Sequence, residues 1–305
     1  MQGTVSPESS APAPTRPGRP ALSRRVLIGV VAALGLTLLF NAWISTGEHD
    51  IRDAAEEFLA QVNGLDVWVL SGAPRDISGS GINLTAWPSS WGKAKSHLAF
   101  LEYHLAKYPA GLLESAGPDR IVVVASLYGN LGNTAGAVRR DVLYFRDSPR
   151  REDCAWLEST LHHELFHAME SSLADTIDGV EWASLNPPGF DYLGGASEGW
   201  RLGSETGANE RIDEIESKIP GFFDLYSLSS AKEDRAQVFS ALMSETRDAL
   251  QRSEIDPNWA AKVTFLQRQL EALAPEVNEG YWRGLAAQDG EPQEDLVCDA
   301  SWGRR

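Results

Sequence analysis

The chain has 305 residues, 43% apolar and 23% charged, a balance that suits a globular domain and excludes disorder throughout. The formal net charge is -16; residues 1–25 hold Arg16, Arg19, Arg24 and Arg25 against Glu8 alone, which leaves -19 on the rest. So acidic a body is repelled by phosphate backbones and argues against nucleic acid as a partner, while two cysteines, Cys154 and Cys298, are too few for a cysteine-rich zinc module or a disulfide scaffold.

Residues 1–25 place five prolines among Ser, Ala and Gly in the first twenty positions. Such a segment cannot bury enough apolar surface to offset its ordering entropy, so it reads as a disordered tail. After Arg24-Arg25 no charge occurs until Glu48, and the apolar residues run all round rather than in a stripe. That is the length and pattern of a membrane-spanning helix, 26–47. A cleaved signal peptide is the competing reading, since Val26–Phe40 is also of signal length; the long preceding tail and the lack of a clear small-x-small site favour an uncleaved anchor. Positive charge before the span puts the N-terminus in the cytoplasm and the body, 48–305, outside. There Cys154 and Cys298 either pair or serve as small buried hydrophobes.

In the body, 50–62 reads as a helix, 65–72 as a strand and the Gly/Ser/Pro-rich stretch to Trp91 as loop. Leu98, Leu101, Leu105 and Tyr108 recur at helical spacing in 93–108. The β-branched run 120–129 marks a central strand, and 141–145 a second one after a Gly-rich loop. Residues 152–174 are helical in pattern, 178–203 form a loop rich in Gly, Pro and aromatics, and helical stretches follow at 208–218, 231–250 and 257–274. The last thirty residues read as a loose tail. The expectation is one α+β domain over 48–280, with 281–305 as a C-terminal tail.

The helix at 152–174 contains His163-Glu164-Leu165-Phe166-His167, which fits H-E-x-x-H. Residues four apart stack on one helix face, so both imidazoles can point at one ion. Glu164 lies one step round, where its carboxylate can act as general base on a water that zinc has acidified. The bland reading is a charged surface helix; Leu161, Leu165, Phe166 and Ala168 around the motif argue instead for a core-facing stretch. His162 falls on another face. A catalytic zinc needs a third protein ligand and an open position. All six histidines lie at or before His167, and Leu173 stands where a third-histidine pattern needs one, so the third ligand should be an acid. Candidates are Glu181, Glu198, Glu205, Glu210 and Glu233.

Two of these have competing roles. Ser230-Ala231-Lys232-Glu233 is a capping box, in which Glu233 would reach back to the helix start. Against that, Ala236, Ser240 and Met243 share its face and could bury it, and a buried carboxylate needs a cation. Glu198 lies 31 residues after His167, in a loop whose Gly195-Ala196-Ser197-Glu198-Gly199 also matches the G-x-S-x-G nucleophile elbow. That elbow needs a preceding hydrophobic strand and a later His, and has neither. Trp182, Tyr192 and Trp200 could line a substrate cleft or cover a core. The acidic run Glu210–Glu216 reads as a solvated helix face.

The stretch Gly221-Phe222-Phe223-Asp224-Leu225-Tyr226, followed by SLSSAKEDRAQVFSALM, resembles the second half of a glutamate-zincin site. It is similar to a family of bacterial zinc-binding metallopeptidases and to the catalytic domain of anthrax lethal factor, in which a Tyr precedes by seven residues a Glu that opens a helix. WASLNPPGFDY, 182–192, also looks like a loop of the former. The resemblance covers about 155–245. It implies a zincin-like fold, a small sheet with an active-site helix and a second ligand-bearing helix, after the N-terminal anchor. It further implies Zn2+ as cofactor, Glu233 as third ligand and Tyr226 as hydrogen-bond donor to the transition state. Gln237 departs from the family, whose members tend to carry an acid there.

The expectation is therefore a membrane-anchored zinc peptidase, single-pass, acting outside the cytoplasm on a peptide or protein. His163, His167 and Glu233 would hold the metal, with Glu164 and Tyr226 catalytic. The rival class is a surface binding or scaffold protein whose site is structural or degenerate; a free carboxylate at Glu164 is what that class would not need.

Overall fold

A computed structural model of the chain describes residues 53–79, 82–130, 132–147, 154–173, 177, 179–195 and 219–289. The expected tail 1–25, the span 26–47 and the helix at 208–218 lie outside them. Among the described residues no helix is long and apolar enough to cross a membrane.

The architecture is α+β. Strands β1 (Ala55–Val62), β2 (Leu65–Ser71), β5 (Arg120–Val124), β8 (Gly136–Arg139) and β9 (Val142–Arg146) form a sheet in the order β1-β2-β5-β9-β8. β2, β5 and β9 run parallel, while β1 and β8 are antiparallel edges. A smaller antiparallel sheet, β3-β4-β6-β7, is built from Arg75–Asp76, Leu84–Trp87, Ser126–Gly129 and Gly132–Thr134. Alternation along the central strands decides the layering. Val67, Val69, Ile121, Val123, Leu143 and Phe145 face the helices. Leu70, Val122, Val124 and Tyr144 pack instead against Leu84, Ala86 and Leu127 of the small sheet.

Helices α1 (Trp91–Leu105), α2 (Ala110–Ala116), α3 (Cys154–Ser172), α4 (Gly179–Ser184), α5 (Ala231–Ser244), α6 (Thr246–Arg252), α7 (Pro257–Leu273) and α8 (Glu279–Gln288) make up the helical side. Four of them begin on a capping side chain: Ser90, Ser230, Asp256 and Asn278 cap α1, α5, α7 and α8.

Several expectations are corrected. The helix expected at 50–62 is instead strand β1. Ala and Glu are good helix formers, but propensity is a weak constraint beside tertiary context, and pairing with β2 overrides it. The signal was the Asn63-Gly64 pair, both at positive φ (47° and 85°), which makes a tight hairpin turn. Asn63 Nδ2 also donates to the carbonyls of Leu105 and Tyr108, at 2.7 and 2.9 Å, tying the turn to the end of α1. The single strand expected at 120–129 breaks at Ala125 into β5 and β6, one in each sheet. Both loops flanking it hold short strands, α4 arises within the stretch 178–203 read as loop, and α2 falls in 109–119, for which no element was expected. The helix expected at 231–250 breaks at Glu245, and α8, with Trp282 and Leu285 buried, replaces the start of the loose tail. Cys154 is buried and disulfide-bonded; Cys298 lies outside the described residues.

Candidate metal centre

Helix α3 buries Leu157, Leu161, Leu165, Phe166 and Met169. It packs on α5 through Phe166 and Phe239, whose ring centroids are 5.0 Å apart, and through the Ser159 and Ser240 hydroxyls at 2.9 Å. This seam fixes the separation of the two helices. One turn of α3 puts the His163 and His167 rings 4.6 Å apart and nearly perpendicular, both facing the first turn of α5.

There the backbone N–H of Glu233 donates to the Ser230 hydroxyl at 3.2 Å, so Ser230 caps the helix. The Glu233 side chain does not close the capping box. Its Oε2 lies 3.0 Å from His163 Nε2 and 3.1 Å from His167 Nε2. The three groups present ligand atoms all within 4.8 Å of one another. Two ligands held about 2.1 Å from a tetrahedral ion are about 3.4 Å apart, so one zinc fits between these donors after small shifts.

The local field also suits a cation. Burial works against the charge on Glu233, but hydrogen bonds from His163 and His167 hold it well below the usual carboxylate range. Burial likewise pushes His167 down, yet Glu170 and Glu233 outweigh it and hold the imidazole up at about 9. Among the described residues, Glu233 forms ion pairs with these two histidines and with no Lys or Arg. A divalent ion would supply the positive charge that the protons otherwise provide.

Glu164 stands outside the donor set. Its Oε2 accepts from the backbone N–H of Val138 on β8 at 3.1 Å. The strand comes this close because position 136 is glycine: a Cβ there would meet Glu164 Cγ at 2.7 Å. Tyr226 lies in a short 3-10 turn (Tyr226–Leu228), its ring centroid 5.9 Å from that of His163. Burial first, then the Glu233 and Glu164 carboxylates, push its phenol far up, so it stays protonated and can donate.

The other sequence candidates fall elsewhere. Glu181 pairs with Arg268 at 2.7 Å on the surface. Glu198, Glu205, Glu210 and Trp200 lie outside the described residues. Trp182 is fully buried, and its Nε1 and the Tyr192 hydroxyl both donate to Asp234 Oδ2, at 3.0 and 2.7 Å. Lys262 Nζ completes that cage at 2.7 Å. These two aromatics therefore hold a buried ion pair behind Glu233 and do not line a cleft. The sequence reading missed this cage, which joins positions too far apart to leave a local pattern. It also missed Glu170, one turn from His167 and bound by Arg235 Nη2 at 2.6 Å.

A second His-Glu-His group sits on the far side of α3. Glu158 Oε1 lies 3.2 Å from His104 Nδ1 and 3.8 Å from His162 Nε2. Lys107 Nζ approaches the same oxygen at 2.7 Å and also donates to the Met243 carbonyl at 3.0 Å. Its ammonium already neutralises that carboxylate. His162, whose Nδ1 is 2.6 Å from the Tyr108 hydroxyl, is lowered by burial to about 4 and is neutral.

No protein-family model matches this sequence, and no curated protein matches it. Among solved structures, a candidate zinc-binding metallo-peptidase from Bacteroides caccae aligns with a TM-score of 0.46 and 12% identity, over 70% of this chain and 81% of that one.

Proposed function

We propose that this chain is a zinc-dependent peptidase in which His163, His167 and Glu233 hold the metal. The observation that carries the reading is the convergence of two imidazoles and one carboxylate from two helices, with Glu164 beside them but committed to no ligand position. Zinc, when bound there, supplies Lewis acidity, which polarises a carbonyl and brings the pKa of water toward neutrality. Glu164 takes the proton of the attacking water and returns it to the leaving amine. Tyr226, kept protonated by its surroundings, donates to the developing oxyanion. The edge strand β8 borders Glu164 and offers backbone groups on which an extended substrate can lie.

The body is held at the outer face of a membrane by the apolar span 26–47. Arg24-Arg25 before the span supports that orientation, and the disulfide at Cys154 suits an oxidising compartment. Protease added to intact cells should remove the body and spare the N-terminal tail; a soluble form starting near residue 45 would show a cleaved leader instead.

Glu164→Gln keeps the shape and an acceptor for Val138 while removing the base. Peptide hydrolysis should fall by about 100- to 10,000-fold, with zinc content and melting temperature nearly unchanged. Hydrolysis at the wild-type rate would sink the mechanism. Loss of zinc in this variant would mean that Glu164 is a ligand.

A further inference from the structure

The acceptor of the outer nitrogen of His163 is an amide, and an amide can turn either end toward its neighbour. His163 Nδ1 lies 3.1 Å from Gln237 Oε1, and Gln237 is buried. The other end of that amide, Nε2, donates to Asp224 Oδ2. Asp224 in turn accepts at Oδ1 from the backbone N–H and the hydroxyl of Ser227, at 2.8 and 2.9 Å. Burial pushes the Asp224 carboxyl up, and the two Ser227 hydrogen bonds, which fall on the same oxygen, work against that and favour the carboxylate. A carboxylate only accepts and a backbone N–H only donates, so polarity runs one way through the whole series. Ser227 fixes Asp224, Asp224 selects the amine end of Gln237, and the oxygen end then faces His163 Nδ1. A proton held at Nδ1 leaves the Nε2 lone pair free on the side of Glu233 and His167.

We infer that Asp224 is a positioning residue that sets the tautomer of His163 through Gln237, and with it the affinity of the site for its metal. The same carboxylate binds the turn that carries Tyr226, so one group holds both a metal ligand and the oxyanion donor in place. This inference rests on the metal-centre reading above. It turns on the amide at Gln237, because a carboxylate at position 237 would need no second group to choose its orientation.

The test is a swap of polarity, read as zinc affinity by competition with a chelator. In Asp224→Asn, the new amide keeps its oxygen on the Ser227 N–H and turns its nitrogen to Gln237. Gln237 then rotates and presents N–H to His163 Nδ1, which moves the proton to Nε2. Zinc affinity should fall by about 10- to 100-fold, the usual effect of losing a partner of a ligand. Adding Gln237→Glu restores the series, since the amide introduced at position 224 donates to the carboxylate introduced at position 237, and that carboxylate accepts from Nδ1. Affinity should then return to near the wild-type level. Gln237→Met removes the acceptor outright and should match Asp224→Asn, which keeps the test open if Asp224→Asn folds poorly. Wild-type affinity in Gln237→Met, or a double variant no better than Asp224→Asn, would overturn the inference while leaving the metal centre standing. Wild-type protein that binds no zinc, or zinc that survives His163→Ala, would overturn the metal centre and this inference with it.

Discussion

Helix α3 contributes two residues to each of two His-Glu-His groups on different faces, and they differ in one respect that decides their chemistry. His104, Glu158 and His162 surround a carboxylate whose charge Lys107 answers at 2.7 Å. His163, His167 and Glu233 surround a carboxylate with no such lysine or arginine among the described residues. Burial lowers His162 to about 4, whereas nearby carboxylates hold His167 up at about 9 despite its burial. The residue types are the same. A built-in cation makes the first group a closed structural network, and its absence from the second leaves a place for a metal ion. A count of ligand-type residues therefore does not tell the two groups apart; the balance of charge around them does.

The largest expected effect tests that division directly. His163→Ala or His167→Ala should abolish zinc binding and hydrolysis together, while His162→Phe should leave about one zinc per chain, as a three-ligand site holds. Zinc loss in His162→Phe with retention in His163→Ala would reverse the assignment. A smaller effect is expected at the closed group. Lys107→Met leaves Glu158 facing His104 and His162 without its cation, and should lower stability by about 3 kcal/mol, because removing one partner strands a largely buried charge. If the missing cation is the whole difference between the groups, added zinc should recover part of that loss and bind at about two per chain; no change in stability would show that Lys107 is not what closes the group.

The smallest effect is on pH. The folded state keeps His162 neutral down to about 4, while the unfolded chain takes up that proton from about 6.5. The contribution of His162 is therefore complete above pH 6.5 and declines as the pH falls toward 4, by about 2.5 kcal/mol at pH 4.5. Glu158, held well below its ordinary range against the pull of burial by His104, His162 and Lys107, loses its contribution in the same direction at still lower pH. Urea unfolding at pH 7 and pH 4.5, with chelator present to remove the metal's contribution, should show the decline in wild type and a weaker one in His162→Gln. Equal declines would assign the effect to other groups.

How far the sequence reached follows from the range of each signal. H-E-x-x-H is local, with a spacing that is a property of the helix itself, and it located half of the site. Glu233 lies 70 residues from His163, and its local pattern, Ser230 to Glu233, fitted a capping box equally well. The structure divides that pattern: the Ser230 half caps the helix, and the Glu233 carboxylate turns to the histidines. The central strand of the sheet was legible in its unbroken β-branched run, 121–124. The edges were not, because β1 is rich in Ala and Glu, β8 is four residues long, and both are held by neighbours rather than by their own preference. Lys107 and Asp224 act through contacts across the fold, and no window of sequence displays such contacts.

Glu164 also occupies the open side of a sheet. Strand β8 ends the five-stranded order, so among the described residues its outward amides have no strand to pair with, and one of them, the Val138 N–H, is held by the Glu164 carboxylate. An edge covered in this way is guarded against pairing with a stray chain. Any extended segment that adds to β8 at this point must take the Val138 N–H for its own carbonyl, and in doing so it releases the carboxylate oxygen that held it. The guard on the edge and the base of the proposed reaction are the same group, and the arrival of a strand at the edge is what sets that group free.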